Sequence, residues 1–87
     1  MDKRDVEFWR ELKVRPDYRG LEIQLIKKGL TKTQLREQVG FSTGTLAKFK
    51  KGDYVALELL LKIAVFLNCS LGDLVDVHPA DRIKDKP

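Results

Sequence analysis

The apolar positions between residues 17 and 75 fall into short stretches of helical spacing, cut by Gly29, Gly40 and Gly52. Leu21 and Leu25, with Tyr18 one turn earlier, predict a first core helix over 17–28. Leu35 and Val39 predict a second over 32–39, and Leu46 with Phe49 form the inward face of a third over 43–51. The run LELLLKIAVFL lies in a fourth segment, 57–68, and is apolar nearly all round, as a central core helix is. A short fifth helix is predicted over 71–75. Upstream, Phe8, Trp9 and Leu12 sit at i, i+1 and i+4, which predicts a short amphipathic helix within 5–14, stopped by Pro16. Its apolar face can cap the main core or pair with another subunit, and spacing leaves both open. The final stretch, HPADRIKDKP, is polar, carries two prolines and is expected to fray. The expected organisation is an N-terminal arm (1–16), a helical domain (17–77) and a polar tail (78–87).

Three helix starts repeat one local grammar. Thr31 is a good N-cap, Gln34 follows at the third helical position, and Leu30 before the cap can clamp Leu35. Ser42 repeats this with Phe41 and Leu46, and Ser70 with Asp73, Cys69 and Leu74. Ala56, before the fourth helix, offers no capping oxygen, a loss of roughly 1 kcal/mol.

Charge sharpens the picture. The net charge of the 87 residues is +4, but residues 27–51 hold seven basic groups against the single acid Glu37. The remainder holds ten basic and twelve acidic groups. A basic middle with an acidic remainder fits a polyanionic partner, although a solvated lysine face leaves the same trace. Catalysis finds little purchase. The sole histidine, His78, is read as a partnerless surface residue of the tail, and no nucleophile pair, phosphate loop or metal-ligand spacing is present. The expectation is a chain that is not an enzyme and needs no cofactor. Cys69 is the only cysteine and reads as a plain buried thiol. No apolar run approaches the ~20 residues of a membrane span, so a cytoplasmic protein without membrane contact is expected.

The two short helices capped by Thr31 and Ser42 meet at Val39-Gly40-Phe41, where Gly40 supplies a left-handed turn. This is a helix-turn-helix layout, whose second helix reads a DNA groove. On that helix Thr43, Gly44, Ala47, Lys48 and Lys51 form one outward stripe, small near its start and lysine-rich toward its end. Small side chains permit close approach to base edges, and lysines reach guanines or phosphates.

The GLT entry, the unit QVGFSTGTLAKFKKG and the ending LLLKIAVFLNCSLGDLV together resemble the Cro/repressor-type helix-turn-helix of the XRE family, over about 21–77. The resemblance implies an all-α, five-helix, lambda-repressor-like DNA-binding domain, here with a short extra N-terminal helix. It implies a transcriptional regulator that binds a double-stranded DNA operator, usually as a homodimer, and represses or autoregulates. Carried across, base reading falls on Thr43, Gly44 and Lys48, and backbone anchoring on Lys32, Ser42, Lys50 and Lys51, with Arg36, Thr45 and Ala47 as further candidates. Lys32 stands where glutamine is frequent, and Arg36 where a small alanine often packs. Gly44 offers only backbone. The alternative is a protein-interaction module, since antitoxins of this fold bind a protein partner as well as their promoter.

Overall fold

The computed structural model describes residues 3–83, with side chains from Arg4 onward. Five α-helices follow in order: α1 (Lys3–Glu11), α2 (Arg19–Lys28), α3 (Lys32–Val39), α4 (Thr43–Lys51) and α5 (Leu57–Leu67). Two short strands, β1 (Pro16–Asp17) and β2 (Asp76–Val77), pair antiparallel in the register Pro16↔Val77 and Asp17↔Asp76. Turns of 3-10 helix at Leu71–Asp73 and Pro79–Asp81 complete the chain.

Caps place the helix starts. Thr31 Oγ1 accepts from Gln34 N at 3.1 Å while Gln34 Oε1 accepts from Thr31 N at 2.9 Å, a closed capping box. The Asp73 carboxylate likewise accepts from both N and Oγ of Ser70, at 3.0 and 2.9 Å. Ser42 caps α4 through Thr45 N at 3.1 Å, but its reciprocal partner is the Thr45 hydroxyl. Ala56 makes no side-chain cap.

The core gathers Tyr18, Leu21 and Leu25 around α2, Leu35 of α3, Phe49 of α4, Leu60, Ile63, Ala64 and Leu67 of α5, and Leu74. Burying each large apolar side chain contributes roughly 1.5–3 kcal/mol. Val39 and Cys69 pack at its edge, half-buried, and burial pushes the Cys69 thiol above its ordinary pKa. Gly20 marks a close approach: a Cβ there would lie 2.2 Å from the Asp73 carbonyl oxygen, beside the 3.1 Å bond from Leu21 N to Leu74 O.

Several expectations need correction. The fourth predicted helix is not central: Leu57, Leu61, Val65 and Phe66 are 58%, 47%, 82% and 42% exposed. A domain this small has too few elements to cover both sides of α5. The predicted helix over 71–75 is one 3-10 turn, because β2 draws the chain away immediately after it. Leu46 remains half-buried and outside the core set, leaving Phe49 to anchor α4.

α1 begins and ends earlier than predicted, and none of its apolar side chains packs on the core; Trp9, edge-on to Phe8 at 5.1 Å, is 43% exposed. The radius of gyration, 15.5 Å, exceeds the roughly 12 Å of a compact chain of this length. The expected fraying has no counterpart in the contacts of the tail to residue 83, which is hydrogen-bonded back to the segment before β1. His78 N donates to Arg15 O at 2.8 Å, and the Asp81 carboxylate accepts from Arg15 N and Nε at 2.9 and 3.2 Å. His78 is half-buried and has partners: its Nδ1 accepts from Ala80 N at 3.2 Å and lies 3.1 Å from Arg15 Nη2. Residues 84–87 of the predicted tail lie outside the described residues.

Candidate nucleic-acid interface

The α3–α4 corner sets the geometry of the site. Gly40 closes α3 at φ 87°, ψ 42°, a left-handed conformation that side-chain-bearing residues resist. The Arg36 carbonyl accepts from Gly40 N at 2.8 Å and from Phe41 N at 3.3 Å, so both amides after the helix are satisfied. Phe49, from the next helix, is locked edge-on between two rings, Tyr18 at 4.9 Å and Phe41 at 5.9 Å. Tyr18 is fixed in turn by donating to Asp53 O at 2.6 Å, and its burial raises its pKa. With one face of α4 held in this way, the opposite face must point outward.

That face carries Thr43, Gly44 and Lys48 side by side, all exposed, with Lys51 one turn on and Ala47 half-buried between them. Gly44 is not required by packing: a Cβ there would meet only Ser42 Oγ, at 3.7 Å. Among the described residues, no carboxylate pairs with Lys48, Lys50 or Lys51. Their ammonium groups sit in the last turn, where the helix dipole favours positive charge without quenching it.

The other candidates are placed differently. Lys32, half-buried at the start of α3, reaches back to Glu22 of α2 at 2.6 Å, so part of its charge is already engaged. The Arg36 guanidinium is partly buried and lies 3.8 Å from Glu37. Ser42 and Thr45 commit their hydroxyls to the cap of α4 and to each other. The Lys32–Glu22 pair is invisible to local pattern, since the partners lie ten positions apart on different helices.

The α3–α4 corner thus presents a basic helix face of small residues to solvent. The family model of the Cro/C1-type HTH DNA-binding domain matches residues 20–80. The chain belongs to the Cro/C1-type helix-turn-helix family. It is a DNA-binding transcriptional regulator, and the resemblance seen in the sequence is thereby shown. Among solved structures, the crystal structure of the transcriptional regulator VanUg, form II, is 41% identical with a TM-score of 0.73, over 76% of this chain and 88% of that one. No curated protein matches the chain. The Cro/C1 domain accounts for α2 to the second 3-10 turn, and α1 precedes the matched residues. Among the described residues, no helix is long and apolar enough to cross a membrane, and no three His, Cys, Asp or Glu side chains are grouped to hold a metal ion.

Proposed function

We propose that this Cro/C1-type regulator is a non-catalytic cytoplasmic repressor that inserts α4 into the major groove of a palindromic operator. The observation that carries the reading is the α4 face itself: Thr43, Gly44 and Lys48 exposed together, with the lysines unpaired among the described residues. The small residues let the helix backbone come near the base edges, and Lys48 extends where a guanine O6 or N7 would lie. Lys50 and Lys51 follow at the helix end, where the duplex backbone would pass, and Lys32 joins them once DNA competes with Glu22 for its ammonium. The test is a binding titration with duplex from upstream of the gene, against scrambled duplex in excess competitor. Tight binding to the first alone supports the reading, and equal affinity for both rejects sequence-specific repression.

The exposed stripe Leu57, Leu61 and Val65 on α5 supports the homodimer part of this reading. These positions repeat every four residues along one side of the helix, and an exposed apolar patch on a small domain needs a cover. A second copy would place two α4 helices on half-sites about 34 Å apart. Leu61→Glu should convert a sedimenting dimer to monomer and weaken operator binding. If the wild-type chain sediments as a monomer, with and without operator, the homodimer part of the reading is rejected.

A further inference from the structure

Behind the last turn of α4 lies an open cleft of about 260 Å³, lined by four cationic side chains from three places in the chain. Arg15 comes from the segment before β1, Arg19 is the first residue of α2, and Lys50 and Lys51 end α4. The acidic residues lining it are Asp17 and Glu22. Glu22 is engaged by Lys32 at 2.6 Å, and Asp17 holds Arg19 through Nη2 at 2.7 Å and Nε at 2.9 Å. Asp81 holds Arg15 in the same manner, with Nε at 3.2 Å. Both guanidinium side chains nevertheless stay largely open to solvent, 57% exposed at Arg15 and 71% at Arg19.

The cleft therefore has a positive excess, and its arginines are oriented in advance. Asp17 engages Nε and Nη2 of Arg19, and Asp81 with His78 engages Nε and Nη2 of Arg15, so among the described residues the outer Nη1 group of each is left for a ligand. The remaining N–H groups of a guanidinium held in place are suited to a phosphate oxygen. Lys51 belongs both to the outward stripe of α4 and to this cleft, so a duplex that receives α4 continues toward its mouth. We propose that the cleft receives a backbone phosphate of that same duplex, with Arg15 and Arg19 as contacts outside the helix-turn-helix unit. The assignment rests on the DNA-reading role of α4. It also gives the β1–β2 pair a function, because by holding residues 76–82 against Arg15 and Asp17 it fixes the arginines that grip the backbone.

The test is the salt dependence of duplex binding, followed by fluorescence anisotropy from about 50 to 200 mM salt. Arg19→Gln and Arg15→Gln should each lower the log–log slope by about one unit, equally on operator and scrambled duplex. Lys28→Gln removes the same charge at the far end and opposite side of α2 and should leave the slope unchanged. Thermal melts accompany each variant. Arg19→Gln, at an exposed first helical position, keeps the test decisive if Arg15→Gln releases Asp81 and unfolds. A wild-type slope that falls with Lys51→Ala but not with Arg19→Gln overturns the cleft and leaves the groove reading intact. An equal fall with Lys28→Gln overturns it as well, by reducing the effect to total charge. Absence of duplex binding by the wild type overturns both. A rise in wild-type melting temperature with millimolar inorganic phosphate, lost in Arg19→Gln while the duplex slope is unchanged, assigns the cleft to a free anion and rejects the proposal.

Discussion

Alanine at Gly44 and alanine at Gly20 should move stability in opposite directions, although both glycines lie in the first turn of a helix. At Gly20 the added carbon would sit 2.2 Å from the Asp73 carbonyl oxygen and 2.9 Å from its carbon, both backbone atoms that no side-chain rotation can clear. The 70–75 segment would have to retreat, straining the 3.1 Å bond from Leu21 N to Leu74 O and uncovering Leu74, which is fully buried. Overpacking costs about 1–3 kcal/mol and a weakened hydrogen bond about 1 kcal/mol. Better helix propensity offsets at most about 1 kcal/mol of this. The net loss is roughly 1–3 kcal/mol, a fall in melting temperature of about 4–24 °C at the usual 4–8 °C per kcal/mol for a domain of this size. At Gly44 the nearest atom to a new Cβ is Ser42 Oγ, at 3.7 Å, an ordinary contact. There the propensity gain stands alone, about 0.5–1 kcal/mol, and the melt should rise by a few degrees. The same methyl fills the surface proposed to approach base edges, so Gly44→Ala should bind operator more weakly while folding more tightly. Circular-dichroism melts and anisotropy titrations on the two variants check both signs. A Gly20→Ala melt equal to wild type would refute the close approach of α2 to the 70–75 segment. A Gly44→Ala variant with unchanged operator affinity would show that this part of α4 does not face DNA closely.

Other outcomes follow from the same geometry. Phe49→Ala removes a ring 7% exposed and packed edge-on against Tyr18 and Phe41, so it should cost about 3–5 kcal/mol and leave the domain partly unfolded by thermal melt. Lys51→Ala should weaken binding to all duplexes alike and lower the salt slope by about one, whereas Lys48→Ala should cost about 1–3 kcal/mol on operator and much less on scrambled DNA. Equal losses for Lys48→Ala on both would make it a phosphate contact and move specificity to DNA shape. Asp17, Asp73 and Asp81 are held below the ordinary carboxylate range, respectively by Arg19, the amide and hydroxyl of Ser70, and Arg15. Their stabilising effect is fully present above that range and is lost as pH falls from it through their lowered pKa, so melts should decline below about pH 4. The decline should be shallower in Asp81→Asn, and identical acid profiles for the two proteins would count against a stabilising Arg15–Asp81 pair.

Local interactions made α3 and α4 legible in the sequence to the residue. Thr31 with Gln34, Ser42 with Thr45, and the left-handed Gly40 act within four positions of one another, so their sequence spacing is their spatial spacing. Phe49 and Leu35 as buried, and Thr43, Gly44 and Lys48 as one exposed face, follow from helical period alone. What period cannot say is which neighbours exist. LELLLKIAVFL has the same apolar composition whether one side or both are covered, and only the packed domain left Leu61 and Val65 in solvent. Arg15 and Asp81 lie 66 positions apart, and strands of two residues are too short to show alternation, so the β1–β2 closure left no local signal. The capture of Lys32 by Glu22 and the meeting of Arg15, Arg19, Lys50 and Lys51 around one cleft were likewise decided by tertiary structure. Helix limits depend on energies between near neighbours, which the order of residues specifies directly; exposure and charge pairing depend on which distant segments come together.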